Sequence, residues 1–371
     1  MIDIEKILKR SWHILWNYRV LWIFGILLAI TMGGGGGSGG GNSGTRYSVD
    51  DRDFSRPPNY NNMPEWAREF TQWFVEDVAP LFRYPAEHIT TWIWIGVAFF
   101  LFILTISIIV WLIRYPSETA VMRMVDEYEQ SGTKLGFRQG WRLGWSRRAF
   151  RLWVIDFILG LPALAFFAVM LAVGVVLYIV MAQVSAPVGA VGLVTAIGIF
   201  FVALFLFILS MVFLGLLRNF FARAAALENL GVLASFRQGW RVFKSNWKSA
   251  GLMWLVMLAI GIGFAIAGFI LFFLFIPVYV IMALPAAIVA FLPGITVFGI
   301  ISVLFSSVPV ALIIAAIVAL PLFFMVMFSP LLLVSGWYHL YQSNVWTLTY
   351  REIKALENAA LPLPLEDDAM L

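Results

Sequence analysis

The chain has 371 residues, of which 61% are hydrophobic and only 12% are charged, with a net charge of +4. Soluble globular domains average about 45–50% apolar and about 25% charged residues, so this chain cannot cover a water-facing surface. The composition excludes a soluble enzyme, a nucleic-acid-binding domain and a disordered protein, and it predicts a polytopic membrane protein.

The N-terminal segment predicts an amphipathic helix that leads into a short membrane span. Ile4, Leu8, Trp12 and Leu15 recur at helical spacing, a pattern typical of a helix in the membrane interface. The apolar run Val20–Met32 follows and then meets a glycine tract. A cleaved signal peptide is the alternative for this run. The long, patterned segment before it and the lack of an A-x-A motif after it favour a retained helix.

Residues 33–87 form an acidic, glycine-rich insertion that we expect outside the cytoplasm. The glycines around Ser38 formally match G-x-S-x-G, but a nucleophile elbow needs a preceding strand, so a flexible linker is expected. From Pro64 onward, aromatic residues line one side of a predicted helix. This helix either lies in the outer interface or caps the outer mouth of the helix bundle.

Five apolar stretches are each long enough for a membrane span, which needs about 20 residues to cross the hydrocarbon core. They are residues 89–113, 152–183, 188–217, 250–283 and 304–335. Together with the weaker N-terminal span near 19–36, they predict six transmembrane helices.

Lysine and arginine concentrate in three of the remaining segments. These are residues 1–19, 114–151 and 218–248, whereas the insertion holds more acids than bases. The positive-inside rule therefore places the three basic segments in the cytoplasm. We expect a multi-pass protein of a bacterial-type plasma membrane with both termini cytoplasmic.

An internal repeat divides the chain into three related units. The hexapeptide at residues 137–142, Phe-Arg-Gln-Gly-Trp-Arg, recurs unchanged at 236–241, and a fainter copy surrounds Trp12. The expected units are 1–114 with the insertion 33–87, 115–218 and 219–350, followed by a cytoplasmic tail, 351–371.

Each unit is expected to contain a cytoplasmic interfacial amphipathic helix, a span, an outer loop and a returning span. The predicted fold class is therefore an all-α integral membrane protein with six transmembrane helices in three tandem two-helix repeats. The repeat register assigns two spans and an apolar connector to the uncharged stretch 249–334.

The repeated amphipathic helices carry the candidate binding residues. In the third unit Phe236, Trp240, Phe243 and Trp247 share one helix face, with a stripe of cations beside it. Rings at acyl depth and cations at phosphate level are typical of an interfacial helix. The predicted contacts with anionic headgroups, or with a protein partner, are Arg138, Trp141, Arg142, Arg237, Trp240, Arg241, Lys244 and Lys248. Alternatively, these helices only set the topology and anchor the bundle.

Asp156 is the only acid inside a predicted span. An acid at membrane depth is a candidate proton or cation site. Asp156 lies only five residues after Arg151, however, so it also fits an acid near the interface that pairs with Arg148 or Arg151. Its counterpart in the repeat is Leu255, so symmetry does not favour a shared ion site.

Glycines and prolines within the spans predict close packing and kinks. Gly261, Gly263 and Gly268 suit a close approach between helices. The prolines expected to kink their helices are Pro162, Pro277, Pro309 and Pro321.

Three short motifs carry a family resemblance. They are residues 223–229 (Arg-Ala-Ala-Ala-Leu-Glu-Asn), 235–241 with Asn246 and Trp247, and 346–352 (Trp-Thr-Leu-Thr-Tyr-Arg-Glu). The arrangement resembles bacterial six-span families of unknown function, including the membrane domain attached to some glycerophosphoryl diester phosphodiesterases. The hydrolase barrel, with its histidine pair and acidic metal cluster, is absent here. The resemblance therefore implies a membrane domain and no hydrolytic activity.

No pattern in the sequence indicates catalysis or cofactor binding. The chain has no cysteine, and its histidines, His13, His88 and His339, are far apart in sequence. We therefore expect no metal, no cofactor and no nucleic-acid partner. The sequence favours a non-enzymatic membrane scaffold or lipid-interacting domain, with a small-molecule transporter or channel subunit as the alternative.

Overall fold

The computed structural model describes residues 2–32, 89–181, 186–304 and 308–359, together with four single residues between 68 and 75. Within these residues 94% of the chain is helical and no strand occurs, so the predicted all-α class is confirmed. The glycine linker and most of the helix predicted in the insertion lie outside the described residues.

The described helices are numbered here in chain order. They are α1 (Ile4–Asn17), α2 (Val20–Met32), α3 (Ile89–Ser131), α4 (Phe137–Gly144), α5 (Arg147–Met181), α6 (Ala186–Leu227), α7 (Val232–Ser245), α8 (Trp247–Leu274), α9 (Ile276–Leu304), α10 (Val308–Met327) and α11 (Ser329–Ala359). Asp3 caps the first of them, because its carboxylate accepts the Lys6 amide at 3.0 Å.

Six of the described helices, α3, α5, α6, α8, α9 and α10, are long and apolar enough to cross a membrane. The mean hydropathy of their most apolar stretches runs from 2.3 to 3.0. In α5 and α6 no residue of that stretch is buried inside the protein. Such bare apolar surface belongs in lipid, which agrees with the predicted multi-pass membrane protein.

These six helices are not the six that the repeat register predicts. α2 has only 13 residues, and it qualifies as a span only together with α1, from which it is bent by 100°. α9 is a continuous helix where the register predicts an apolar connector, so that prediction is wrong. Pro285 and Pro293 lie inside α9. An apolar medium leaves unpaired backbone groups unsatisfied, which favours helix over connector even around proline.

The chain divides into two compact units that do not follow the sequence units. The described parts of the first lie within residues 2–32, 111–268 and 332–359, and those of the second lie within 68–110 and 269–331. In the second unit α9 and α10 pack along each other. A small core there contains Ile95, Val310 and Ile314.

The core of the first unit is built from three helix segments that are buried at every residue. They are 115–122 of α3, 220–226 of α6 and 343–350 of α11. α6 alone has 42 residues, or about 63 Å, roughly twice the thickness of the hydrocarbon core. One end of such a helix must therefore continue beyond the bilayer, and in α6 the buried segment is the C-terminal end.

Two glycines allow α2 and α11 to cross with their backbones in contact. A Cβ at Gly25 would lie 2.8 Å from the carbonyl oxygen of Gly336. A Cβ at Gly336 would in turn lie 2.9 Å from the carbonyl carbon of Gly25. Any larger residue at either position would push the two helices apart.

The glycines predicted to mediate close packing divide into two kinds. A Cβ at Gly261 would meet the hydroxyl of Tyr338 at 2.8 Å, so the prediction holds there. Gly263 and Gly268 have open space around them among the described atoms, so the prediction is wrong for both.

The prolines also differ from the prediction in part. Pro162 and Pro321 lie inside α5 and α10, as predicted. Pro277 and Pro309 fall instead in the first turns of α9 and α10, where proline fits a helix without kinking it. Pro116 lies inside α3, within the buried core.

Candidate functional site

Three amphipathic helices lie against the core of the first unit through small residues. Ser11 in α1, Gly140 in α4 and Gly239 in α7 are all buried. A Cβ at Gly140 would lie 2.2 Å from Sδ of Met124, and one at Gly239 would lie 3.0 Å from the backbone of Phe220. The glycine shared by the two copies of the hexapeptide therefore has the same packing role in both.

The aromatic face predicted for α7 divides between the inside and the outside of the protein. Phe236 and Phe243 pack against phenylalanines at the end of α6, with ring centroids 4.7 and 5.7 Å apart. Trp240 and Trp247 remain 46% and 60% exposed. The prediction of one helix face that runs from Phe236 to Trp247 is wrong for two reasons. The two phenylalanines pack against the core, and α7 ends at Ser245, so Trp247 is the first residue of α8.

The cations predicted to contact headgroups are all exposed. They are Arg138, Arg142, Arg237, Arg241, Lys244 and Lys248, and none forms an ion pair with another described residue. Trp141 differs from Trp240, because it is half-buried and stacks on Phe24 of α2 at a centroid distance of 6.4 Å. Thus α7 presents three cations and the indole of Trp240 outward, and Trp247 and Lys248 follow in the first turn of α8. Trp141 instead joins α4 to α2.

Asp156 is paired, but not with the predicted partners. Its Oδ1 accepts from Nε of Arg218 at 2.6 Å, and its Oδ2 accepts from Nη2 of the same side chain at 2.8 Å. Arg148 and Arg151 donate instead to backbone carbonyls at and after the end of α6, those of Ala226 and Asn229, at 2.7 and 2.8 Å. The carbonyls at a helix C-terminus lack partners within the helix, so arginines stabilise them there.

Arg218 also holds a second carboxylate, that of Glu118. Its Nη1 and Nη2 each donate to one oxygen of Glu118 at 3.0 Å, so the pair is bidentate. Glu118 is only 6% exposed. Because Glu118, Asp156 and Arg218 belong to α3, α5 and α6, one guanidinium joins three helices.

Three further polar side chains lie at or near this pair of carboxylates. The Tyr115 hydroxyl donates to Oδ2 of Asp156 at 3.3 Å, and Nη2 of Arg114 lies 3.6 Å from the same oxygen. Arg223, one and a half turns after Arg218, is only 3% exposed. Its Nη1 donates to Asn219 of its own helix. We call Arg114, Glu118, Asp156, Arg218 and Arg223 the ion cluster.

A pocket of about 440 Å³ opens beside the ion cluster. Its polar end is formed by Arg114, Tyr115, Asp156 and Arg218. The other lining residues are Trp153, Phe157, Leu159, Gly160, Met211, Leu214 and Gly215, all from α5 and α6. The pocket is therefore polar at one end and apolar along its walls.

A second set of ion pairs ties the end of α11 to the core. Arg351 bonds to Asp126 of α3, and Lys354 lies 2.9 Å from Glu228, just after α6. Tyr350 also donates to Glu228. Burial, together with this hydrogen bond and the carboxylate charge, raises the pKa of Tyr350 well above its ordinary value, so it stays neutral. These contacts are structural.

Sequence reasoning missed Glu118, Arg114 and Arg218 as members of a site. All three lie in segments that were predicted to be basic cytoplasmic loops, where charges set topology. Their position directly at the ends of apolar stretches is the signal that could have found them. Among the described residues, no group of three or more histidine, aspartate or glutamate side chains is arranged to hold a metal ion.

The chain belongs to a family of unknown function (DUF7544), whose model matches residues 8–344. No curated protein matches the chain. No solved structure matches it either. None of these findings links the chain to glycerophosphoryl diester phosphodiesterases.

Proposed function

We propose that this member of DUF7544 is a non-enzymatic scaffold of the plasma membrane that gathers anionic lipid at its cytoplasmic side. The proposal includes the cytoplasmic location of both termini and of the amphipathic helices, and their origin in three tandem repeats. The observation that carries it is the outward face of α7. That face, together with the first turn of α8, combines Arg237, Arg241, Lys244 and Lys248, which form no ion pair with another described residue, with the exposed indoles of Trp240 and Trp247.

The opposite side of α7 supports this role because it is fixed to the protein. Gly239 and Val242 are buried, and the phenylalanines beside them pack into the core. A helix held in this way keeps its cations on the outward side of the protein. Each cation near an anionic leaflet contributes about 1 kcal/mol, so the four together contribute roughly 4 kcal/mol when all reach phosphate.

The test is retention of anionic lipid by a variant in which Arg237, Arg241, Lys244 and Lys248 are changed to glutamine. Wild-type protein and variant are reconstituted into vesicles of mixed anionic and zwitterionic phospholipid, extracted with mild detergent, and their bound lipids are quantified. We expect the variant to retain less anionic lipid than the wild type while it keeps its helix content. The matched control exchanges arginine and lysine at the same four positions, which retains the charge, and it should behave like the wild type.

Equal lipid enrichment in the glutamine variant and the control would overturn the lipid role. A protein that co-purifies with the wild type and is lost from the glutamine variant would then assign α7 to a protein partner.

A transporter or channel is the second candidate, and the pocket that Asp156 lines is the observation that favours it. The pairing of Asp156 with Arg218 argues against a mobile proton or cation at this carboxylate. Solute flux in proteoliposomes that disappears in Asp156→Asn alone would favour the transporter over the scaffold.

A further inference from the structure

We propose that the pocket beside Arg114 binds the phosphate of one anionic phospholipid, with the acyl chains along its apolar walls. The pocket is a different place from the outward face of α7. A lipid held here is an individually bound ligand, in contrast to the lipids that surround an interfacial helix.

The charge of the ion cluster favours an anion. The cluster holds the guanidiniums of Arg114, Arg218 and Arg223 and only the carboxylates of Glu118 and Asp156. Both carboxylates are already engaged by Arg218. An excess positive charge in a partly buried site is unfavourable unless an anion balances it.

Two members of the cluster, Arg114 and Arg223, have an Nε without a partner among the described residues, and of these two Arg114 lines the pocket. Its Nη2 is 3.6 Å from Asp156, beyond the ordinary hydrogen-bond length, and its Nε is buried without a partner among the described residues. The side chain is 29% exposed and lines the pocket. A guanidinium presents its donors in a fork that matches phosphate oxygens, so Arg114 is suited to hold a headgroup.

The same contacts argue against a cation in the pocket. Asp156 is the carboxylate that lines it, and both of its oxygens already accept hydrogen bonds from Arg218. The Tyr115 hydroxyl donates to one of these oxygens as well. A metal or ammonium ion would have to displace these donors and add charge to a cluster that is already positive.

The walls of the pocket favour a lipid over a soluble anion. They come from the two described helices whose most apolar stretches contain no buried residue, α5 and α6, so the pocket opens on surface that belongs in hydrocarbon. Its volume of about 440 Å³ lies within the range of about 300–1,000 Å³ that small-molecule sites span. A polar end joined to apolar walls fits an amphiphile rather than a free phosphate ester.

Two variants test the site from its two ends. Arg114→Gln removes the charge, and Gly160→Leu fills the apolar wall without a clash, because a Cβ at Gly160 meets no atom within 4 Å. The protein is loaded from vesicles of phosphatidylglycerol and phosphatidylcholine, purified with exhaustive detergent washing, and examined by native mass spectrometry. We expect the wild type to retain one phosphatidylglycerol, and each variant to bind it about tenfold more weakly.

Gly174→Leu is the matched control. This glycine lies in α5 outside the pocket and also has open space around it, so the control should retain the lipid as the wild type does. Thermal unfolding of every variant in the same detergent verifies that the fold is intact. The glutamine changes on α7 leave this single lipid in place, so failure of the pocket proposal and failure of the scaffold proposal are separate results.

Three results would overturn the pocket proposal. The first is equal retention of phosphatidylglycerol by Gly160→Leu and the wild type, which would place the lipid elsewhere. The second is displacement of the bound lipid by excess glycerol phosphate in a detergent wash, which would indicate a site for soluble anions. The third is equal retention of phosphatidylcholine and phosphatidylglycerol, which would exclude recognition of the headgroup charge.

Discussion

The guanidinium of Arg218 donates to carboxylates from two other helices, Glu118 in α3 and Asp156 in α5. Taking charges out of water is costly, and the cost is recovered only while each charge keeps its partner. Removal of Arg218 leaves two carboxylates of like charge close together with little solvent around them. Removal of the carboxylates with it removes the unpaired acids and leaves Arg114 and Arg223 as the charges of the cluster.

Arg218→Gln should therefore lower the free energy of unfolding by about 3–5 kcal/mol, because it leaves buried acids unpaired. The measurement is chemical or thermal unfolding of the detergent-solubilised protein, followed by circular dichroism. The triple variant that adds Glu118→Gln and Asp156→Asn should recover part of the loss, because it removes the unpaired acids but leaves Arg114 and Arg223 without carboxylates. If Arg218→Gln is as stable as the wild type, water solvates the ion cluster well enough that its ion pairs do not contribute to the free energy of unfolding.

At the scale of the elements, α7 depends on one small residue. Gly239 lies where α7 touches the backbone of α6, and a Cβ there would come within 2.5 Å of the Phe221 ring. Gly231, which precedes the same helix, has open space around it. Helix propensity by itself favours alanine over glycine within a helix. Propensity therefore predicts that Gly239→Ala stabilises the protein, whereas packing predicts that it destabilises it.

We expect Gly239→Ala to destabilise the protein by about 1–3 kcal/mol through overpacking, whereas Gly231→Ala at the N-cap of α7 should cost only about 0.5 kcal/mol. Backbone hydrogen exchange over Val232–Ser245 should accelerate in the first variant and not in the second. Faster exchange in both variants, or in neither, would contradict the close contact between α7 and α6.

For the whole molecule, the three basic segments of the sequence meet in one core. Its members include Ile14 of α1, Val125 of α3 and Val242 of α7, together with residues of α6 and α11. A shared core fits a common side of the membrane for all three segments. The positive-inside rule predicts that this side is the cytoplasm.

Topology is testable directly because the chain has no cysteine. Single cysteines at Ser131 and Ser245, both exposed, should be protected from a membrane-impermeant thiol reagent in intact cells. A cysteine at Ser48 in the insertion should be labelled. Labelling after permeabilisation checks that the protected positions are reactive. Labelling of the cysteine at position 131 from outside would contradict the predicted orientation. It would also contradict the proposed contact with lipid of the cytoplasmic leaflet.

The sequence by itself determined that this protein suits a lipid bilayer and that its fold class is all-α. Apolar composition and 3.6-residue periodicity are local properties, and a bilayer admits helices wherever apolar stretches are long enough. For the same reason the amphipathic helices at α1, α4 and α7 and their exposed cations were predictable. The repeat register failed at α9, because membrane solvation decides whether an apolar stretch is helical, and similarity to another segment does not.

Only the tertiary structure decided which residues form a site. Asp156 and Arg218 are 62 positions apart, and Glu118 is 100 positions from Arg218, so their pairing depends on which helices are neighbours. The same holds for α7, in which Phe236 and Phe243 pack against the core and Trp240 stays exposed. Periodicity shows that side chains share a helix face, but the partner helix decides how much of that face is buried, because burial is a property of two packed surfaces.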